Sequence, residues 1–422
     1  MNVFLKNANY RRFSFASFLS SAGDILFYLA FMTYASKLQN YSLALSLIAI
    51  SESIPRLLEI FGGYLADRTK NKFRNIFLCS VIRFALYSIV GILFVTNISQ
   101  WGLVIVIVVI NFFSDTTGSY SGGLVAPLIV DLVGKEEYGE AEGFTNGIGQ
   151  VINMTAQFAG SALLLVMSYS SLAFLNAATF LLAGILYASV GLKNKKGGQV
   201  LETKEVNDQK FFATMKSSFV QVRKQNGLLT TVLIIALLNG SLSAIEPLTT
   251  IVLAAHRSTM VIGTYSFTLA LISTITGIGF VLGTMFGPQL LKKVSIFTLA
   301  IISNALSIVT TISVLLANTY LILGFFFFLA AVVGVASIKL QQWLVNAVDH
   351  KILASTVGLL STILSVASPL MTSVLTTISG GINVNVALIV LIIVEGVTLG
   401  VAVMVALKQK QLNKADENVV AD

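Results

Sequence analysis

The chain has 422 residues, of which 55% are hydrophobic and 11% charged, with a formal net charge of +8. So little charge cannot clothe a soluble protein of this size, and a chain that crosses a membrane many times is expected. The lone Cys79 excludes an internal disulfide, and His256 and His350 have no metal-ligand spacing around them. With no phosphate-binding Gly-rich loop and no nucleophile–His–acid order, neither an enzyme nor an ATP-driven pump is expected, and no cofactor or metal.

Stretches long enough to cross a hydrocarbon core of ~30 Å as a helix recur twelve times along the chain. They cover 13–36, 41–66, 75–97, 101–130, 141–166, 169–192, 227–254, 261–288, 294–317, 319–347, 352–378 and 384–407. Lys6, Arg11, Arg12, Arg68, Lys70, Lys72, Arg74 and Lys135 fall on one side of these spans. The basic residues of the central loop, Lys292, Lys293, Lys351 and the tail's Lys408, Lys410 and Lys414 fall there too. The other side carries only Lys37 and Arg257. The positive-inside rule then puts both termini and the central loop in the cytoplasm, for a multi-pass protein of the plasma membrane. The basic excess is topological, so the partner it implies is the lipid bilayer and not nucleic acid. Met1–Arg12 is polar and basic, and no cleavable signal peptide is expected.

The first span holds Asp24. Twelve helical residues from Arg12 carry it roughly 18 Å inward at ~1.5 Å each, near the middle of the hydrocarbon core, where a carboxylate needs a partner or a water-filled cavity. Span two holds Glu52, Arg56 and Glu59, whose spacing puts them on one helical face. Arg56 is expected at Asp24's depth, either exchanging between Asp24 and Glu52 or held in a permanent structural triad. Arg83 follows in span three and Asp115 in span four. Glu246, followed by Pro247, lies roughly 15 Å beneath the outer boundary. Span eight places Gly279, Gly283 and Gly287 four residues apart, the pattern of close helix packing. Lys339 in span ten is a candidate to neutralise Glu395 in span twelve.

The polar segment 193–226 divides six spans from six. Its Phe211, Phe212, Met215, Phe219 and Val222 recur beside Lys216, Arg223 and Lys224, which suits either an interfacial helix or a solvated connector. The expected organisation is an N-terminal half 1–192, the linker 193–226, a C-terminal half 227–407 and a cytoplasmic tail 408–422. Leu128–Val133 lines up without a gap on Trp343–Val348, and Gly143 on Gly358, as in duplicated transporter halves. The fold class is therefore an all-α membrane protein, twelve transmembrane helices in two six-helix pseudo-repeats, with substrate bound between the halves near midplane.

Between spans two and three stands Gly62-Gly63-Tyr64-Leu65-Ala66-Asp67-Arg68-Thr69-Lys70-Asn71-Lys72. This resembles the signature loop of the major facilitator superfamily at Gly63, Leu65, Ala66, Asp67, Arg68 and Lys72, while Lys70 and Asn71 depart from it. Gly63 would let two helices approach closely, and Asp67 would latch helices by accepting from amides or an Arg. Gly23-Asp24, Pro55, Arg83 and Asp131 with Lys135-Glu136-Glu137 resemble the macrolide-efflux and enterobactin-exporter branch. Gln157-Phe158-Ala159-Gly160 stands where drug/proton antiporters keep a Gly-Pro motif, without the proline.

In that superfamily the first, fourth, seventh and tenth spans line the pathway, so the resemblance implies pathway roles for Asp24, Asp115, Glu246 and Lys339. It also implies a structural role for Arg83 near the inner ends of the spans. The expected activity is proton-coupled efflux of an amphipathic drug such as a macrolide by alternating access, in a monomer, with protons as coupling ion. Export or flipping of a lipid, siderophore or peptide is the alternative cargo, and a non-transporting membrane sensor is the alternative class.

Overall fold

The computed structural model describes residues 2–195, 228–292, 294–347 and 353–421. Among them the regular elements are all helical. In hydrocarbon every backbone polar group must be satisfied within its own segment, and a helix does that. The chain runs through α1 (Asn2–Lys6), α2 (Ala8–Ala35), α3 (Tyr41–Leu57), α4 (Glu59–Asp67), α5 (Lys72–Leu93), α6 (Gln100–Leu163) and α7 (Tyr169–Lys195). It continues with α8 (Leu228–Ala255), α9 (Arg257–Met260), α10 (Tyr265–Leu290), α11 (Ile296–Leu315), α12 (Thr319–Ala347), α13 (Leu353–Gly381) and α14 (Val384–Ala421). Side-chain caps fix several starts, as at Asn7, whose side chain accepts from the amides of Asn9 and Tyr10, and at Ser99 and Ser295.

Ten of these helices are long and apolar enough to cross a membrane. The difference from twelve predicted spans lies in two places. The second predicted span breaks at Leu58, one turn after Pro55, and continues as α4. Proline removes an amide donor and crowds the preceding turn. The fourth and fifth predicted spans make up α6, as two helical arms that meet directly at a kink at Gly134 (φ 81°, ψ 168°) with no loop between them. Leu132 on one side of the kink and Lys135, Glu136, Glu137 and Glu140 on the other are good helix formers, so each arm stays helical up to Gly134. Asn7 Nδ2 donates to the Leu132 carbonyl at 2.8 Å and the Tyr10 hydroxyl to that of Ala141 at 2.6 Å, so the N-terminus clamps both arms of the bend.

The chain forms two compact units, Met1–Val206 with Ile262–Leu271, and Asn207–Val261 with Ile272–Asp422. In the first, α5 packs along α7, α2 packs on α7 and α6, and α3 and α4 lie against α6. Rings fill its core: Phe27, Phe31 and Phe180 are almost fully buried, with Tyr87 edge-on to Phe27 at 4.9 Å. In the second unit α8 packs on α13, α11 on α12 and α14, and α14 also touches α8 and α13. Ile82, Ile89, Phe113, Phe328 and Ile393 are exposed, an apolar exterior that suits lipid and not water.

The glycines expected to bring helices together in span eight do so. An added Cβ on Gly279 would meet the Phe327 carbonyl, on Gly283 the Ala331 carbonyl, and on Gly287 the Val335 side chain, so α10 and α12 touch backbone to backbone. In the signature loop the close approach to α6 requires the absent side chain at Gly62 and not at Gly63, although the Gly63 Cα lies 3.0 Å from a Cβ added on Gly123. A Cβ on Gly62 would lie 2.9 Å from the Ser119 carbonyl oxygen, whereas nothing lies within 4 Å of one on Gly63. Gly63 is one residue, about 100° of helix, off the face that meets α6. The expected interfacial helix at 211–222 lies outside the described residues, as does the side chain of Asp67.

Candidate functional site: one arginine between two aspartates

Asp24 lies midway along α2, beside Gly23. A Cβ on Gly23 would collide with Thr179 Oγ1 and stand 2.6 Å from Asn176 Oδ1, so these two α7 side chains pack directly on the α2 backbone. That contact brings Asp24 to Arg83 of α5, whose guanidinium donates to Asp24 Oδ2 at 2.6 Å. The same nitrogen stands 3.8 Å from Asp115 Oδ1 of α6. Arg83 Nε donates to Ser114 Oγ at 3.0 Å, and the guanidinium lies 3.9 Å from the centre of the Phe180 ring. Gly118 of α6 also lines the guanidinium, where an added Cβ would stand 3.5 Å from Arg83 Cζ, an ordinary contact distance.

Further polar groups hold Asp115. Asn111 Nδ2 donates to Asp115 Oδ2 at 3.1 Å, and the Tyr87 hydroxyl donates to Asn111 Oδ1 at 2.7 Å. Arg83, Asn111, Ser114 and Tyr87 are buried. The carboxylates are less so, with side-chain exposures of 33% for Asp24 and 24% for Asp115 against 10% for Arg83. The cation is thus sealed inside the unit while each carboxylate keeps an open edge. One guanidinium can satisfy one carboxylate with a short charge-assisted bond and hold a second at longer range.

The network differs from the expected pairing of Asp24. Arg56, predicted at the same depth, has a side chain 65% exposed and stands 3.9 Å from Glu52. Glu59 begins α4, beyond the break at Leu58, so the three charges do not share one continuous helix. Arg83 stands midway along α5 and not near the inner ends of the spans. The residues that sequence reasoning passed over are Tyr87, Asn111 and Ser114. Their signal was present: Asn111, Ser114 and Asp115 at i, i+3 and i+4, and Arg83 and Tyr87 one turn apart.

The remaining predicted residues lie elsewhere. In the signature loop, the Arg68 guanidinium stacks 3.6 Å above the Tyr64 ring. Thr69 and Asn75 both reach the Tyr120 hydroxyl, at 2.7 and 2.9 Å. Lys72 opens α5. Glu246 is exposed on α8 and accepts from Ser273 Oγ at 3.0 Å. Lys339 does not neutralise Glu395. Its ammonium donates to the carbonyls of Leu291 (2.6 Å), Lys292 (3.3 Å) and Val294, just past the C-terminus of α10. A lysine stem is long enough to carry its charge to the helix end, where the carbonyls lack partners. Glu395 is buried and accepts instead from Ser307 and Thr311. Among the described residues no group of three His, Cys, Asp or Glu side chains is arranged to hold a metal ion.

The model of a protein family described as Major Facilitator Superfamily matches residues 13–372. A search of curated protein sequences gave no match. Among solved structures, the chain is similar to a point mutant of the nucleoside transporter NupG (13% identity, TM-score 0.68, 94% of this chain and 99% of that one). It is similar to a POT family transporter in complex with 5-aminolevulinic acid (11%, 0.72, 95% and 96%). A bacterial homologue of the human lysosomal transporter Spinster, inward-facing and unoccupied, is also similar (13%, 0.65, 94% and 97%). At such identities the likeness is one of fold.

Proposed function

Because the chain belongs to the major facilitator superfamily, and so is a multi-pass membrane transporter, we propose that it moves an amphipathic small molecule by proton-coupled alternating access. The observation that carries the coupling is the single Arg83 guanidinium, 2.6 Å from Asp24 and 3.8 Å from Asp115. Ionised together, the three groups leave one uncompensated negative charge in a low-dielectric setting. A proton on one carboxyl removes that charge and leaves Arg83 with the other. Asp115 is the one that takes the proton, since Asp24 holds the short bond. Protonation would free α6 from α5 electrostatically and bias the unit between its two states, as any ligand with different affinities for them must. Glu246 is a second point of contact for cargo.

The direction is outward, a reading supported by the resemblance of Gly23-Asp24, Pro55, Arg83 and Asp131–Glu137 to the macrolide and siderophore exporters. Drugs such as macrolides are the cargo that this suits best, with an endogenous lipid, siderophore or peptide as the alternative. The working form is a monomer in the plasma membrane, with both termini cytoplasmic.

The test is pH-gradient-driven transport in proteoliposomes. An internal pH dye would report protons released when a cationic amphiphile such as ethidium is driven by an imposed pH gradient. Wild type is expected to couple the two fluxes. Arg83→Gln removes a charge-assisted hydrogen bond worth about 1.5–3 kcal/mol, so coupled flux should fall roughly tenfold or more. Asp115→Asn should leave downhill ethidium flux but abolish its proton dependence. If Asp24→Asn and Asp115→Asn both couple like wild type, the network has no part in the mechanism.

A further inference from the structure

Glu395 belongs to the other unit, and nothing in the Asp24 network explains it. It is 0% exposed, on α14. Among the described residues α8, α11 and α13 pack against α14, and the sequences of these three contain no Lys, Arg or His. The one other charged residue among them is Glu246 of α8, exposed and bonded to Ser273 of α10. On α14 itself the next charge is Lys408, thirteen residues and about 20 Å of helix away. Among the described residues no cation is placed to neutralise Glu395.

Its hydrogen bonds are few. Oε1 accepts from the Ser307 hydroxyl and from that of Thr311, the latter at 3.2 Å. Oε2 has no partner among the described residues. One turn earlier on α11, Ser303 and Asn304 are 0% and 1% exposed, and their side-chain polar atoms have none either. Ser303, Asn304, Ser307 and Thr311 recur at helical spacing and form one polar strip along α11, beneath Glu395. An ionised carboxylate with two hydroxyl donors and no cation is not a stable occupant of a hydrocarbon-like interior. Something positive must share the site.

We propose that Glu395 is a proton-binding site, a neutral carboxylic acid held between α14 and α11 by Ser307 and Thr311. A metal cation is the other way to neutralise it, and the backbone argues against that. Intramembrane metal sites draw on carbonyls freed where helices unwind, whereas α11 and α14 are regular through this level. The proton needs no such shell. It reaches Glu395 along the Ser303–Asn304–Ser307 strip, whose unpartnered groups are of the kind that ordered water satisfies. The site stands apart from the coupling proposed for Asp24 and Asp115, and fails or survives independently of it.

Infrared difference spectra of the full chain in nanodiscs, between neutral and alkaline buffer, test this directly. The expected result is a protonated-carboxyl band present in wild type, Asp24→Asn and Asp115→Asn and missing from Glu395→Gln. Glutamine keeps the acceptor oxygen for Ser307 and so should fold. Identical spectra for wild type and Glu395→Gln would overturn the proposal. So would loss of the band on adding sodium chloride at neutral pH, which would assign the site to a metal cation. Should Glu395→Gln fail to fold, dicyclohexylcarbodiimide, an apolar reagent for protonated carboxyls, serves on wild type. An adduct on Glu395 that fades as pH rises is expected, and one indifferent to pH, or none at acid pH, refutes the site.

Discussion

Gly23 governs where its neighbour Asp24 can be. An added Cβ would strike Thr179 Oγ1 and lie 3.0 Å from Thr179 Cβ, so a larger residue must push α2 away from α7. Overpacking of that kind costs about 1–3 kcal/mol, and here the displaced helix carries one member of the ion pair. Gly23→Val is therefore expected to lower the melting temperature of the detergent-solubilised protein and to lose proton-coupled ethidium flux. Gly91→Ala is the comparison. It presses on the Phe174 ring at 2.8 Å, a side chain able to turn aside. That variant should lose stability and keep coupling. Wild-type coupling in Gly23→Val would mean that the α2–α7 approach does not position Asp24. The place of Asp24 midway along its helix was legible by counting from Arg12, but its partner was not. Arg56 and Arg83 are both within reach along the chain, and the choice depends on which helices are neighbours. Packing α2 on α7 and α6 selects Arg83 and leaves Arg56 exposed beside Glu52.

Among the elements, α6 is where composition and conformation part. Residues 131–140 are polar enough to read as a loop between two spans, yet two helical arms meet there directly at Gly134, whose φ 81° and ψ 168° are not helical. That backbone region is essentially closed to side chains. No atom lies within 4 Å of a Cβ added there, so any penalty for substitution is conformational and not steric crowding. Gly134→Ala should destabilise by about 1–3 kcal/mol. It should also loosen the clamp that Asn7 and Tyr10 place on Leu132 and Ala141, visible as faster amide exchange in residues 2–10. An unchanged melting temperature and exchange pattern would show that α6 can bend equally well without glycine. The glycines of α10 were legible, by contrast, because their spacing of four is itself the packing motif. Gly62 was not separable from Gly63 by sequence, since adjacent residues face different directions on a helix whose rotation only its neighbours fix.

At the scale of the molecule, the ten helices among the described residues that are long and apolar enough to cross a membrane fall within segments readable from length and hydropathy, because hydrocarbon imposes one secondary structure on any stretch that spans it. Orientation rests on a different physical term, the bias of Lys and Arg toward the cytoplasmic side, and it yields a prediction with fixed signs. The single Cys79 is buried, so Cys79→Ser gives a background with no native thiol. Lys70 follows α4 and Lys292 follows α10, both exposed and both in the basic set of connections. Thr96 follows α5 and Asn318 follows α11, also exposed and on the side that carries only Lys37 and Arg257. In intact cells a membrane-impermeant maleimide should label Thr96→Cys and Asn318→Cys at once, and Lys70→Cys and Lys292→Cys only after permeabilisation. The four positions test each unit twice, from opposite ends of its helices. The reverse labelling pattern would invert the orientation. A mixed pattern within one unit would mean that a predicted span fails to cross, and the segment at α3–α4, broken at Leu58, would be the first suspect.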